Sequence, residues 1–262
     1  TKKLIVIIGL LTTFIGFSQE NTSSPYSFYG LGEVKFKGTE DAKAMGGLSF
    51  AGDSISLNLS NPASYSGMKL TTFGVGGTTN FNSISNSESS EKAKRTSLDY
   101  LAVGIPMGKF GAAFGLMPYS AVGYKIQEEF EYNGQNRTKN YNGLGNINSF
   151  FIGGAYSINK KLSFGINFNY LFGDISNSVV EKIEGISLAT RELNESDIKG
   201  TLFNTGFMYN TKVNTKLNLT ASLMYSPKTD LNATNNRNTA TISYNQNGSE
   251  IITDFEQADT VS

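Results

Sequence analysis

Few residues in this chain could do covalent or acid–base chemistry. Its 262 residues include no histidine and no cysteine. That excludes Ser-His and Asp-His hydrolytic arrangements, His-ligated metals, thiolate nucleophiles, thiolate metal sites, disulfides and a lipidated N-terminal cysteine. The adjacent carboxylates Glu128 and Glu129 are the nearest thing to an acid–base pair, but they sit in a polar, charged stretch and read as solvated surface charge. No glycine-rich phosphate-binding loop is present. The expectation is therefore no catalytic residue, no metal, no cofactor and no enzyme activity. Lys plus Arg and Asp plus Glu each number 22, for a formal net charge of zero. Nothing in that balance points to nucleic acid or to electrostatic attachment at a membrane surface.

The elements that would carry any site must then be read from composition and pattern. Hydrophobic residues make up only 39%, alongside 28 Gly, 13 Tyr and 18 Phe. A soluble domain so poor in aliphatics would have a thin core, whereas a membrane barrel needs apolar side chains on one face only. Lys2 and Lys3 precede an apolar run from Leu4 to Phe17. That run is too short to cross roughly 30 Å of hydrocarbon as a helix. Gly16 and Ser18 are small residues placed as at a cleavage site, so residues 1–19 read as a signal peptide; a buried N-terminal helix is the alternative. No later apolar stretch is long enough for a spanning helix, so a membrane form must be a barrel.

Residues 20–69 are glycine-rich and polar, without strand alternation. From Leu70 onward the pattern changes. Leu162, Phe164, Ile166, Phe168, Tyr170 and Phe172 alternate with Ser163, Gly165, Asn167, Asn169 and Leu171. This period-two alternation places an aromatic set toward lipid and a small polar set toward a lumen. Leu217, Leu219, Ala221, Leu223 and Tyr225 repeat it. Strands are expected near 70–81, 97–106, 110–126, 147–158, 161–173, 200–210, 215–226 and 239–246, with a ninth beginning near 250. Short turns at Met107–Lys109, Asn159–Lys160 and Asn210–Asn214 alternate with long polar loops at 82–96, 127–146, 174–199 and 227–238. That alternation suits an outer-membrane barrel with long extracellular loops and short periplasmic turns.

One resemblance joins these observations. Ala44-Met45-Gly46-Gly47 is followed by Ala51 and then by Asn61-Pro62-Ala63-Ser64, after a lead-in Ser24-Pro25-Tyr26-Ser27 to Tyr29-Gly30-Leu31-Gly32. The arrangement resembles the FadL/TodX family of outer-membrane transporters in the form found in Bacteroidota. The resemblance implies an all-β transmembrane antiparallel barrel of about 14 strands when complete. It also implies that residues 20–69 form a plug, with Met45, Gly46, Gly47, Asn61, Pro62 and Ala63 as its motif. Residues 70–262 hold room for only eight or nine strands and read as a partial barrel, so the chain is expected to be an N-terminal fragment.

The third strand carries Pro118 between Gly115 and Gly123. A proline cannot donate to a ladder and marks a local break. The resemblance turns that break into a lateral opening lined by Gly115, Leu116, Met117, Pro118, Tyr119 and Val122. The function so implied is passive uptake of hydrophobic compounds such as long-chain fatty acids. The partners would be those molecules and the lipid and lipopolysaccharide of a Gram-negative outer membrane. The alternative is a structural subunit, with other outer-membrane proteins, of a larger protein-export or barrel-assembly complex. The small polar inward residues of the fifth and seventh strands lean away from a continuous apolar path.

Overall fold

The computed structural model describes residues 22–47, 55–85, 90–245 and 247–261. The apolar run read as a signal peptide, and Ala51, lie outside them. Strands dominate: β1 Glu33–Val34, β2 Thr72–Ser85, β3 Ser90–Met107, β4 Phe110–Tyr132, β5 Gln135–Ser157, β6 Leu162–Ile183, β7 Leu188–Lys212, β8 Asn218–Tyr225, β9 Asn232–Tyr244 and β10 Glu250–Val261. One short helix, α1 (Glu40–Ala44), and two 3-10 turns, Pro25–Phe28 and Pro62–Gly67, precede β2. All strands belong to one antiparallel sheet in the order β10-β9-β7-β6-β5-β4-β3-β2, with β8 beside β7 and β1 beside β4. Among the described residues β2 and β10 do not pair, so the sheet is open where a closed barrel was expected.

The expected loops are a second difference. Residues 127–146 and 174–199 are mostly strand, turning at Asn133-Gly134 and again near Gly185. Hydrophobic period marks a strand only where apolar residues recur along one face, and in these stretches they are sparse: Ile175, Val180, Ala189 and Ile198 are buried but set among polar and charged neighbours. Their pairing is nonetheless continuous: Glu128 lies opposite Lys139, and Glu181 opposite both Lys139 and Thr190. The charges also mark a boundary. Residues 110–124, 144–158, 162–173 and 200–211 hold no Asp, Glu, Lys or Arg, and charge resumes at Lys125, Asp174 and Lys199. Each long strand thus has an uncharged band beside the short turns and a charged extension beyond it.

Residues 227–238 depart furthest from expectation. β8 pairs with the end of β7, from Thr205 to Lys212, and β9 pairs with its beginning, from Leu188 to Lys199. Both run antiparallel to β7, so they form one interrupted strand line rather than a hairpin. The side chain of Leu231 then lies over Gly200. The regular alternation of short turns and long loops is broken at this point.

Within the band the two faces differ as the alternation requires. Ser163, Gly165, Asn167, Asn169 and Leu171 are buried, while Ile166 and Tyr170 are exposed. Rings on the exposed face meet across strands: Phe110 with Tyr156 at 4.6 Å, Phe164 with Phe207 at 4.9 Å and Phe168 with Phe203 at 5.3 Å. Such cross-strand aromatic pairs stabilise an antiparallel ladder. The other face is covered by the N-terminal segment. Leu57, Leu59, Tyr65 and Met68 pack there with Tyr100, Ala102, Ala113, Met117, Phe151 and Ala155.

Candidate functional site

The covered face is built around Asn61-Pro62-Ala63. Asn58 Oδ1 accepts from Ser60 N and Asn61 N, and Asn61 Oδ1 accepts from Ala63 N at 3.0 Å. Pro62 opens the 3-10 turn, where its fixed φ is already suitable and its missing N–H costs no bond. The turn is seated on glycines from four strands. A Cβ on Gly111 would overlap the Tyr65 carbonyl, and one on Gly165 would stand 2.5 Å from Ala63 N. One on Gly206 would run into the Asn61 side chain, and one on Gly104 would stand 2.6 Å from Met68 Sδ. At Gly111 and Gly165 backbone approaches backbone because no side chain intervenes, and at Gly206 and Gly104 the space is taken by the Asn61 and Met68 side chains. Asn61 Nδ2 donates to the Phe207 carbonyl at 3.4 Å, and Asn167 Nδ2 donates to the Tyr65 hydroxyl at 3.0 Å. Tyr65 is fully buried, and that burial pushes its phenol well above the ordinary tyrosine range; the bond from Asn167 opposes the shift.

Met45-Gly46-Gly47 serves a different contact. Thr39 caps α1, and Gly46 and Gly47 close it with φ of +72° and +84°. Gly47 N donates to the Ala42 carbonyl at 2.8 Å. A residue with a Cβ is strained in this region, which accounts for both glycines. Met45 itself is exposed. The helix is tied to the sheet by Lys43, whose Nζ donates to Thr78 Oγ1 at 2.8 Å and lies 3.6 Å from Asp99. Thr78 also donates to Asp99. The Glu40 carboxyl is held above the usual carboxylate range, first by its hydrogen bond with Asp99 and then by burial.

The residues expected to line an opening are divided. The register of β4 on β5 slips between Pro118 and Ser120, and the pairing of β3 with β4 ends at Leu101 and Leu116. β1 enters beyond that point: Val34 pairs with Ser120, and Lys35 N donates to the Tyr119 carbonyl at 2.9 Å. A cleft of about 290 Å³ remains, bordered by Pro118, Glu33, Lys35, Glu40, Lys43 and Asp99. Its walls mix these five charged residues with Thr78, Asn80 and Ser97 and with the apolar Val34 and Phe36. Gly115, Met117 and Val122 are buried on the covered face, while Leu116 is on the exposed face. Tyr119 lies under the Lys37 ammonium, 4.7 Å from its ring centre. Burial holds that ammonium below the ordinary lysine range. Among the described residues no cluster of three acidic groups could hold a metal ion.

The family model of BamG matches residues 1–261. The chain belongs to the BamG family. No curated protein and no solved structure matches it. BamG is a barrel-assembly-related family, and the match overturns the resemblance to FadL/TodX. The Met-Gly-Gly and Asn-Pro-Ala stretches that carried the resemblance are short turn formers, and here each is explained by its own local geometry. The uptake of hydrophobic compounds drawn from that resemblance loses its support, and membership in the BamG family supports an outer-membrane, barrel-assembly-related role. No helix among the described residues is long and apolar enough to cross a membrane.

Sequence reasoning missed the glycine floor, the Tyr65–Asn167 pair and the Glu40–Lys43–Asp99 tie. The glycines did carry a signal, since Gly111 and Gly165 fall on the inward phase of their strands. Nothing local linked Tyr65 to Asn167, which lie 102 residues apart.

Proposed function

We propose that this member of the BamG family is an outer-membrane β-barrel acting as a fixed accessory subunit of a barrel-assembly complex, with other outer-membrane proteins as its partners. The match over residues 1–261 carries the reading. The geometry supports it. The inward face is covered by the docked N-terminal segment and carries buried Asn and Ser side chains beside its apolar clusters, and the break at Pro118 opens onto a small cleft bordered by β1 and by five charged residues. A scaffold tolerates a filled interior that a channel for apolar molecules does not. In this reading the short turns face the periplasm, the charged extensions stand outside the cell, and the chain performs no catalysis.

The test is isolation of the tagged protein from native membranes by crosslinking and mild detergent. Barrel-assembly components should co-purify in fixed proportion, and depletion of the protein should lower the amount of other outer-membrane barrels. Recovery of the protein alone, with other barrels unaffected, would overturn the proposal.

A further inference from the structure

Net charge of zero conceals a strong segregation. Lys69, Lys109, Lys160, Lys161, Lys212 and Lys216 all lie at the short-turn end, and all are exposed. Among the described residues at that end, 55–74, 104–113, 157–165 and 209–219, there is no Asp or Glu. None of the six ammonium groups has a hydrogen bond or ion pair among the described residues. The far end, by contrast, mixes both signs.

Two of the turns present their lysines in the same way. In Ile158-Asn159-Lys160-Lys161-Leu162, Asn159 Oδ1 accepts from Lys161 N and Leu162 N, both at 2.8 Å. In Val213-Asn214-Thr215-Lys216-Leu217, Asn214 Oδ1 accepts from Lys216 N at 2.9 Å and Leu217 N at 2.8 Å. The closing bonds also match: Ile158 N to the Leu162 carbonyl and Val213 N to the Leu217 carbonyl are each 2.9 Å. Lys161 and Lys216 therefore occupy one position of one turn geometry.

We infer that these lysines form a basic collar for the anionic phospholipid headgroups of the adjoining membrane leaflet. The inference rests on the membrane-spanning reading above. The row follows successive chain reversals along the rim of the sheet, which suits a planar leaflet. Each turn is adjacent to exposed apolar side chains of the uncharged band, such as Phe110, Tyr156 and Tyr209. Lysine stems can lie along such surface while their ammonium groups reach phosphate.

The test reconstitutes the full chain in bilayers of phosphatidylcholine with a minority of phosphatidylglycerol, and measures by mass spectrometry the lipids retained per barrel. Phosphatidylglycerol should be enriched several-fold over its bulk share, and less so as salt rises. Replacing Lys69, Lys109, Lys160, Lys161, Lys212 and Lys216 with Gln should return it to the bulk share, and replacing the same six with Arg should keep the enrichment. Equal enrichment in the Gln variant overturns the collar. So does a Gln variant that keeps the lipid but loses a co-purifying acidic protein, which would make the rim a protein-docking surface. If the unaltered chain inserts without enriching phosphatidylglycerol, only the collar is wrong. If it gives no heat-modifiable, inserted form, the membrane-spanning reading falls and the collar with it.

Discussion

Gly111 and Tyr65 meet backbone to backbone: a methyl group on the Gly111 Cα would occupy the position of the Tyr65 carbonyl. The Tyr65 ring lies fully buried beyond that contact. The N-terminal segment is thus fitted to the sheet by its main chain as much as by its side chains.

Gly111→Ala and Gly165→Ala should each lower stability by about 1–3 kcal/mol, the range for overpacking a filled interior. In both, the obstructing atoms are backbone, which cannot swing aside. Gly154→Ala is the control, since its nearest neighbour would be 3.8 Å away. Denaturant unfolding of the refolded protein checks the ranking. Equal effects at all three positions would show that the segment does not dock as described.

The strands beside the short turns were legible because one face is apolar and the alternation shows, as from Leu162 to Phe172. The extensions were not, because Glu128, Lys139 and Glu181 pair along stretches whose few buried apolar residues, Val180 and Ala189 among them, do not recur with period two. The continuity of β8 with β9 was hidden for a different reason. Ser226 to Leu231 carries the residues of a loop, and only the pairing of both strands with β7 shows that the chain does not reverse. At the site, Asn61-Pro62-Ala63 stood out as a motif. Its floor of glycines from four strands depends on tertiary register, which no local pattern encodes.

The paired turns give a second prediction. Asn159→Ala and Asn214→Ala each remove a side-chain acceptor for two backbone N–H groups. Each should cost about 1 kcal/mol, limited because the freed groups are exposed and can bond water. The turns are separate, so the double variant should lose the sum within about 0.5 kcal/mol. Thermal unfolding of the three variants provides the comparison.

Acid should loosen the extensions before the uncharged band. Glu181 is held below the ordinary carboxylate range chiefly by its bond from Arg137, and Glu192 chiefly by its bond from Arg237, each 2.8 Å long. A depressed carboxylate contributes stability above its unfolded pKa, about 4.3, and loses it as pH falls through the lower folded value. Amide exchange in residues 135–143 and 188–199 should therefore be unchanged from neutral pH to about 5 and show extra local opening below about 4, beyond the intrinsic rate change. Extra opening at the same pH in residues 162–173 would remove the distinction.

The Tyr65–Asn167 bond permits the sharpest test of the docked segment. Tyr65→Phe leaves Asn167 Nδ2 without its acceptor in a residue whose Oδ1 already lacks a partner. Asn167→Ala leaves the Tyr65 hydroxyl without its donor. Each should cost about 1–3 kcal/mol, the penalty for a buried polar group left unmatched. The double variant should cost less than the sum by at least about 0.5 kcal/mol, because the second change removes a group already orphaned. Strict additivity would mean that the bond does not link segment to sheet. The phenol adds an independent check. Its folded pKa is raised, so its contribution to stability is complete below the unfolded value of about 10 and is lost as pH rises beyond it toward the folded one. The unaltered protein should therefore lose stability faster than Tyr65→Phe above that pH, in unfolding measured across the alkaline range. Parallel losses in the two proteins would show that Tyr65 reaches solvent and that the segment is not seated on the glycines.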